Sequence, residues 1–146
     1  MLLDRLKDDL KTAQLGRDEV KVSTLRLLLS EIKNAQIAKG GEVDDGDVIA
    51  LVQREVKKRK EAVVSFRSGQ REDLVSKEEA EEKILVEYLP AQLSNEELTK
   101  LILDTINEVG AKSIQDIGKV MRVVMSKVAG RVDGGTVSNL VREILG

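Results

Sequence analysis

The stretch Ile117–Val141, IGKVMRVVMSKVAGRVDGGTVSNLV, carries the pattern that decides the fold. Ile117, Val120, Met121, Val124, Met125 and Val128 recur at three- and four-residue spacing, as do Val137, Leu140, Val141, Ile144 and Leu145 beyond the junction A-G-R-V-D-G-G. That period is the signature of amphipathic helices, so two of them joined by a glycine-rich loop are predicted, with Met121 and Met125 in the core. Within the junction, Gly130 suits a left-handed helix end, Asp133 suits an N-cap, and Gly134 and Gly135 admit close backbone approach. On residue types alone the pair could exist only to pack, leaving Lys119, Lys127, Arg131 and Arg142 merely exposed.

The same period extends upstream, and strand alternation is nearly absent, so an all-α fold is predicted. Leu2, Leu3, Leu6, Leu10 and Ala13 form a first stripe broken near Gly16. Val22, Leu25, Leu28, Leu29 and Ile32 form a second that ends before Gly40 and Gly41, and the two are expected to pair as a hairpin. Carboxylates at Asp44, Asp45 and Asp47 favour the start of a third helix reaching about Arg67. Ser76 and Glu79 have capping-box spacing for a fourth, ending near Tyr88. Pro90 disfavours helix at Leu89, which places a linker at 90–93 between an N-terminal four-helix domain, 1–89, and a small three-helix domain, 94–146. Ser94 and Glu97 form a capping box for the first helix of that second domain, Gly110 stops it, and Ser113 with Asp116 caps the next.

Composition restricts the chemistry. The 146 residues include no Cys and no His, which removes disulfides, thiolate nucleophiles, zinc–thiolate sites and the usual general base. No cofactor and no metal are expected. No apolar run approaches the ~20 residues of a membrane span, and MLLDRLKDDL lacks the apolar core of a secretory leader, so a cytoplasmic protein without membrane contact is expected. Ser30 and Lys33 have a serine–lysine spacing but no oxyanion loop nearby, and G-A-K-S at Gly110–Ser113 lacks the upstream glycines of a P-loop. Glu78, Glu79, Glu81 and Glu82 belong to an acidic run expected to be solvated.

G-K-V-M, V-M-x-K-V, G-R-x-D-G-G and V-x-x-L-V in this order resemble the C-terminal signature of the GatB/YqeY family, which includes the tail of the B subunit of tRNA-dependent amidotransferases. Tyr88–Ser94 (YLPAQLS), Asn107–Gly110 (NEVG) and Arg54–Lys60 (REVKKRK) resemble its free-standing YqeY members, so the likeness spans nearly the whole chain. Arg122 stands where a glycine is usual and Ser126 where a proline is usual.

The resemblance implies a tRNA-binding, amidotransferase-like accessory module. It implicates Gly118, Lys119, Lys127, Gly130, Arg131 and Gly134 as a phosphate-facing surface, with Asp133 as a cap; Arg122 and Arg142, basic residues on the same two helices, are further candidate nucleic-acid contacts. tRNA is the implied partner, with an aminoacyl-tRNA synthetase or an amidotransferase component as a further one. The amidase subunit and catalytic cradle of the full amidotransferase have no counterpart in this sequence. No catalysis by this chain alone is therefore expected, and a carbon–nitrogen ligase using glutamine as amido-N-donor is the lesser reading. A helical protein-interaction adaptor, using the exposed end of the helix from Val48 to Arg67, is the alternative.

A second basic patch, Arg54, Lys57, Lys58 and Lys60, has two readings. From Gln53 to Arg71 seven basic residues face two acidic ones, a balance of +5, and from Glu72 to Glu87 two face seven, a balance of −5. Such helices can neutralise each other, or the cations can neutralise phosphates. With Phe66 and Tyr88 the only aromatics, stacking on bases is not available as a main mode, so RNA recognition would follow duplex shape and backbone.

Overall fold

The computed structural model describes residues Met1–Gly146, and every regular element is helical. The helices are α1 (Leu2–Leu15), α2 (Glu19–Lys39), α3 (Asp45–Ser68), α4 (Glu72–Val86), α5 (Asn95–Val109), α6 (Ile117–Lys127) and α7 (Gly134–Leu145), with one 3-10 turn at Ile114–Asp116. They form two compact units, Met1–Leu89 and Pro90–Gly146.

In the first unit, α1 and α2 form a hairpin and α3 and α4 a second one. Leu6, Leu25, Leu28, Ile32, Val48, Val52 and Leu85 are essentially removed from water. Full burial of side chains of this size stabilises by about 1.5–3 kcal/mol each before the entropy of ordering is counted. The helix ends follow local chemistry. Gly40 is left-handed at φ 75° and returns its amide to Gln36 and Ile37. Asp44 caps α3 through the Asp47 amide at 2.8 Å, and Asp47 accepts both the Asp44 amide and the Lys39 ammonium.

The α3–α4 hairpin is charge-paired. Arg59 is buried among Glu55, Glu78 and Glu81, with its Nε 2.9 Å from Glu81 and 3.5 Å from Glu78. Lys60 meets Glu82 at 3.8 Å and Arg67 meets Glu79 at 2.8 Å. The acidic run expected to be solvated is therefore largely engaged: Glu78, Glu81 and Glu82 are half-buried against α3, because the opposite charges of the two helices meet along their shared face.

One helix start differs from expectation. Helix α4 begins at Glu72, and Ser76 is an exposed residue inside it rather than its cap. The chain reverses within three residues instead: Gln70 adopts φ 58° and the Arg71 amide closes onto the Phe66 carbonyl at 2.8 Å. Glu72 and Asp73 then supply the negative charge that favours a helix N-terminus.

The second unit packs α5, α6 and α7 around Leu98, Ile102, Val120, Val124, Val128, Val137 and Val141, an aliphatic core without a ring. Ser94 and Glu97 form a complete capping box on α5, and Gly110 ends it at φ 68°. The segment expected as a linker, 90–93, is pinned within this unit: Leu93 donates its amide to the Arg131 carbonyl at 3.2 Å, and Gln92 Nε2 donates to the Gly130 carbonyl at 3.2 Å.

Candidate nucleic-acid interface

The residues singled out by sequence fall into three settings. Gly118, Lys119 and Arg122 share the outward side of α6, all exposed, and neither cation enters an ion pair. This side exists because Ile117, Val120, Met121 and Val124 turn inward at helical spacing. Gly118 lies in the first turn, and a methyl group added there meets nothing within 4 Å.

Just before the helix, Asp116 fixes the approach of the chain. It accepts the Lys112 amide at 2.9 Å, while its own amide bonds to the Ser113 carbonyl at 3.0 Å. The Lys112 amide holds the Asp116 carboxyl below the usual carboxylate range, helped by the Ser113 amide and the nearby Lys119 and Lys112 ammonium groups. The carboxylate offsets part of the positive charge of both Lys119 and Lys112, whereas Arg122 has no part in the Asp116 interaction.

Lys127, Gly130 and Arg131 are used by the fold itself. Lys127 reaches back to α5, 2.7 Å from Glu108 and 3.2 Å from the buried Thr105 hydroxyl. Gly130 is buried at φ 79°, a conformation that other residues adopt only at a cost of about 1–2 kcal/mol. Arg131 donates Nε–H to the Ala91 carbonyl at 2.9 Å. The junction implied as part of a phosphate-facing surface thus ties the α6–α7 loop to the 90–93 segment through Gly130 and Arg131, while Lys127 ties α6 to α5.

At the start of α7, Asp133 acts as the cap and takes the Thr136 amide at 3.3 Å. Its carboxylate occupies the region in front of the free amides, where a phosphate would otherwise sit. A side chain at Gly134 would make ordinary contact with Met125 Cε at 3.5 Å. Arg142 is exposed in the last turn of α7, where its charge complements the helix dipole.

The α3 patch divides similarly. Lys58 pairs with Glu55 at 3.0 Å and Lys60 with Glu82, whereas Arg54 and Lys57 are exposed and unpaired. Ser30 and Lys33 lie on the outside of α2 with no hydrogen bond between them. No group of His, Cys, Asp and Glu suited to a metal is formed.

The fold and this surface define a class: a two-unit, all-helical protein whose α3–α4 cations are largely paired with its own carboxylates, and which leaves exposed, unpaired cations on α6 and at Arg54 and Lys57 of α3. The chain belongs to the family described as Yqey-like protein, whose pattern matches residues 3–145. It is similar to the protein named Altered inheritance of mitochondria protein 41, mitochondrial, of Pyrenophora tritici-repentis, at 34% identity with all of this chain and 82% of that protein aligned. It is also 33% identical to the protein of the same name from Saccharomyces cerevisiae strain YJM789, over 75% of this chain and 63% of the relative. The aligned part thus spans less than two thirds of the yeast relative. Neither the family description nor these names specify a catalytic activity.

The names correct the cytoplasmic expectation, because these relatives are called mitochondrial. Helix amphipathicity and the lack of an apolar span do not distinguish one aqueous compartment from another, so the sequence reading had no physical basis for choosing between them.

Proposed function

We propose that this protein is a non-catalytic accessory module that binds the backbone of structured RNA, with tRNA as the ligand implied by its resemblance to the amidotransferase tail. A tRNA-handling enzyme, either a synthetase or an amidotransferase component, is the proposed protein partner. The observation that carries the reading is the α6 surface. Gly118 is a helix glycine for which the fold has no steric need, and it stands beside two unpaired cations, Lys119 and Arg122. A glycine there weakens the helix by about 0.5–1 kcal/mol relative to alanine, yet leaves bare backbone open to a phosphate or ribose. Lys127 and Arg131, which are engaged by Glu108 and the Ala91 carbonyl, serve the fold that presents this surface.

The net charge of −2 gives little long-range steering, so affinity must arise from the local patch. The test is a salt-dependent titration of the protein with bulk tRNA and with a DNA duplex of equal length. Preference for tRNA is expected, with Lys119→Glu and Arg122→Glu each lowering the log–log salt slope by about one. Parent-like binding by the double variant would remove the α6 surface from the proposal. Affinity confined to the non-specific range of ~10⁻⁴ to 10⁻⁶ M, without preference for tRNA, would remove the function itself.

A further inference from the structure

Helix α2 buries Thr24, Leu25, Leu28 and Ile32 against its own unit. Its opposite side carries Val20, Ser23, Leu27, Ser30, Asn34 and Ile37, a strict three–four alternation in which every residue is exposed. Three of these are apolar and stand well out in water: Val20 is 41%, Leu27 45% and Ile37 71% accessible. A mean spacing of 3.5 residues is the period of a left-handed two-helix seam, and the fold contains no element that fills it.

We propose that this face of α2 pairs with the same face of a second copy of the chain, with the two helices parallel and in register. In heptad terms Val20, Leu27 and Asn34 occupy a positions and Ser23, Ser30 and Ile37 occupy d positions, which places Arg26 and Lys33 at g and Glu31 at e. Neither Arg26 nor Glu31 forms an ion pair within its own chain. A parallel pair sets each g residue against the e residue five positions later in the other copy, so Arg26 meets Glu31 of the second copy, and symmetry repeats the contact. An antiparallel pair would set g against g and bring Arg26 toward Lys33, a repulsion that favours the parallel arrangement.

The a-position Asn34 strengthens the assignment, since two such amides satisfy each other across a parallel seam and fix its register at some expense of stability. Ser23 and Ser30 let the helices approach closely but add little apolar area. The dimer is therefore weak and concentration-dependent, in the class of interfaces below ~1,200 Å².

The chain has no cysteine, so a single introduced thiol reports the geometry directly. In the parallel seam, Ser23→Cys faces its own copy and cross-links under mild oxidation; in an antiparallel seam centred on the stripe the two positions lie about 16 Å apart and do not. Sedimentation equilibrium up to ~0.5 mM should show reversible dimerisation of the parent, weakened about tenfold by Arg26→Glu and restored in the Arg26→Glu/Glu31→Arg double variant. A strictly monomeric parent overturns the proposal. So does Ser23→Cys cross-linking no faster than an Ser126→Cys control, or a dimer indifferent to both charge reversals.

Discussion

Arg131 and Ala91 are joined across 40 positions of sequence: the guanidinium Nε–H of the first donates to the carbonyl of the second at 2.9 Å. With the Leu93 amide on the Arg131 carbonyl, this closes the α6–α7 loop onto the start of the second unit. A charged donor on an exposed carbonyl contributes about 1 kcal/mol net, near the low end for charge-assisted bonds. Arg131→Ala is therefore expected to lower the unfolding free energy of the second unit by that amount, read as a lower urea midpoint at unchanged slope, and Arg131→Lys to recover only part of it, since an ammonium lacks the planar fork. An unchanged midpoint would return Arg131 to the list of free cations.

Gly118 offers the opposite test, because stability and binding should move in opposite directions. An added methyl meets no atom within 4 Å, so Gly118→Ala should stabilise α6 by roughly 0.5–1 kcal/mol while weakening tRNA binding by blocking the bare backbone. A variant that is more stable and binds tRNA as well as the parent or better would show that the bare backbone at Gly118 has no part in binding.

The helical fold was legible because its determinants are local. Asp44, Ser94 and Asp133 cap amides three residues away, and Gly40, Gly110 and Gly130 end or reverse segments by a conformation intrinsic to glycine. Helix α4 was misplaced for the converse reason: its start depends on Gln70 adopting a positive φ, which nothing in that side chain announces. The α3–α4 pairing was visible as a charge balance, but the depth of Arg59 was not, since burial depends on how two helices meet. The direction of the long cations was also hidden. Lys127 finds Glu108 19 residues upstream, and Arg131 finds Ala91 40 residues upstream, so residue type marked them as basic without showing that the fold had taken them.

Asp116 should leave a mark on the acid side of the stability curve. Its carboxyl is held below the usual range by the Lys112 amide, so the folded state favours the ionised form. That contribution is complete above the unfolded pKa of about 3.9 and is lost as pH falls through the lower folded value. Denaturation of parent and Asp116→Asn between pH 7 and pH 2 should show the variant less stable at neutrality and the difference narrowing below about pH 4. A constant difference across that range would mean that the carboxylate acts through shape rather than charge.

Arg59 is the position where one substitution should cost most. Its side chain is 10% accessible and faces Glu55, Glu78 and Glu81, so removal leaves three carboxylates against each other in a partly dry interface. Arg59→Leu is expected to destabilise the first unit by about 3–5 kcal/mol. Lys60→Ala, which removes an exposed partner of Glu82, should cost at most about 1 kcal/mol. Equal effects from the two, measured by urea unfolding, would contradict the inequality that burial predicts.

Tyr88 provides an optical probe because it is the only tyrosine in a chain without tryptophan. Its ring is buried, its hydroxyl donates to Asp9 at 2.6 Å, and Arg5 lies 4.7 Å from the ring centre. Burial first, and then the bond to an anionic acceptor, push the phenol well above its ordinary value. The folded state thus holds the proton more tightly than the unfolded state, whose tyrosine ionises near pH 10. The corresponding stability is fully present below that pH and drains away as pH rises beyond it. Phenolate absorbance should therefore appear only together with loss of helical circular dichroism. Tyr88→Phe should destabilise the neutral protein by about 1 kcal/mol, through the lost bond and the Asp9 carboxylate left without its donor, and should flatten the alkaline slope. Phenolate appearing near pH 10 in a fully helical protein would show that Tyr88 is open to solvent, and with it that the packing of α1 against the end of the first unit is looser than drawn.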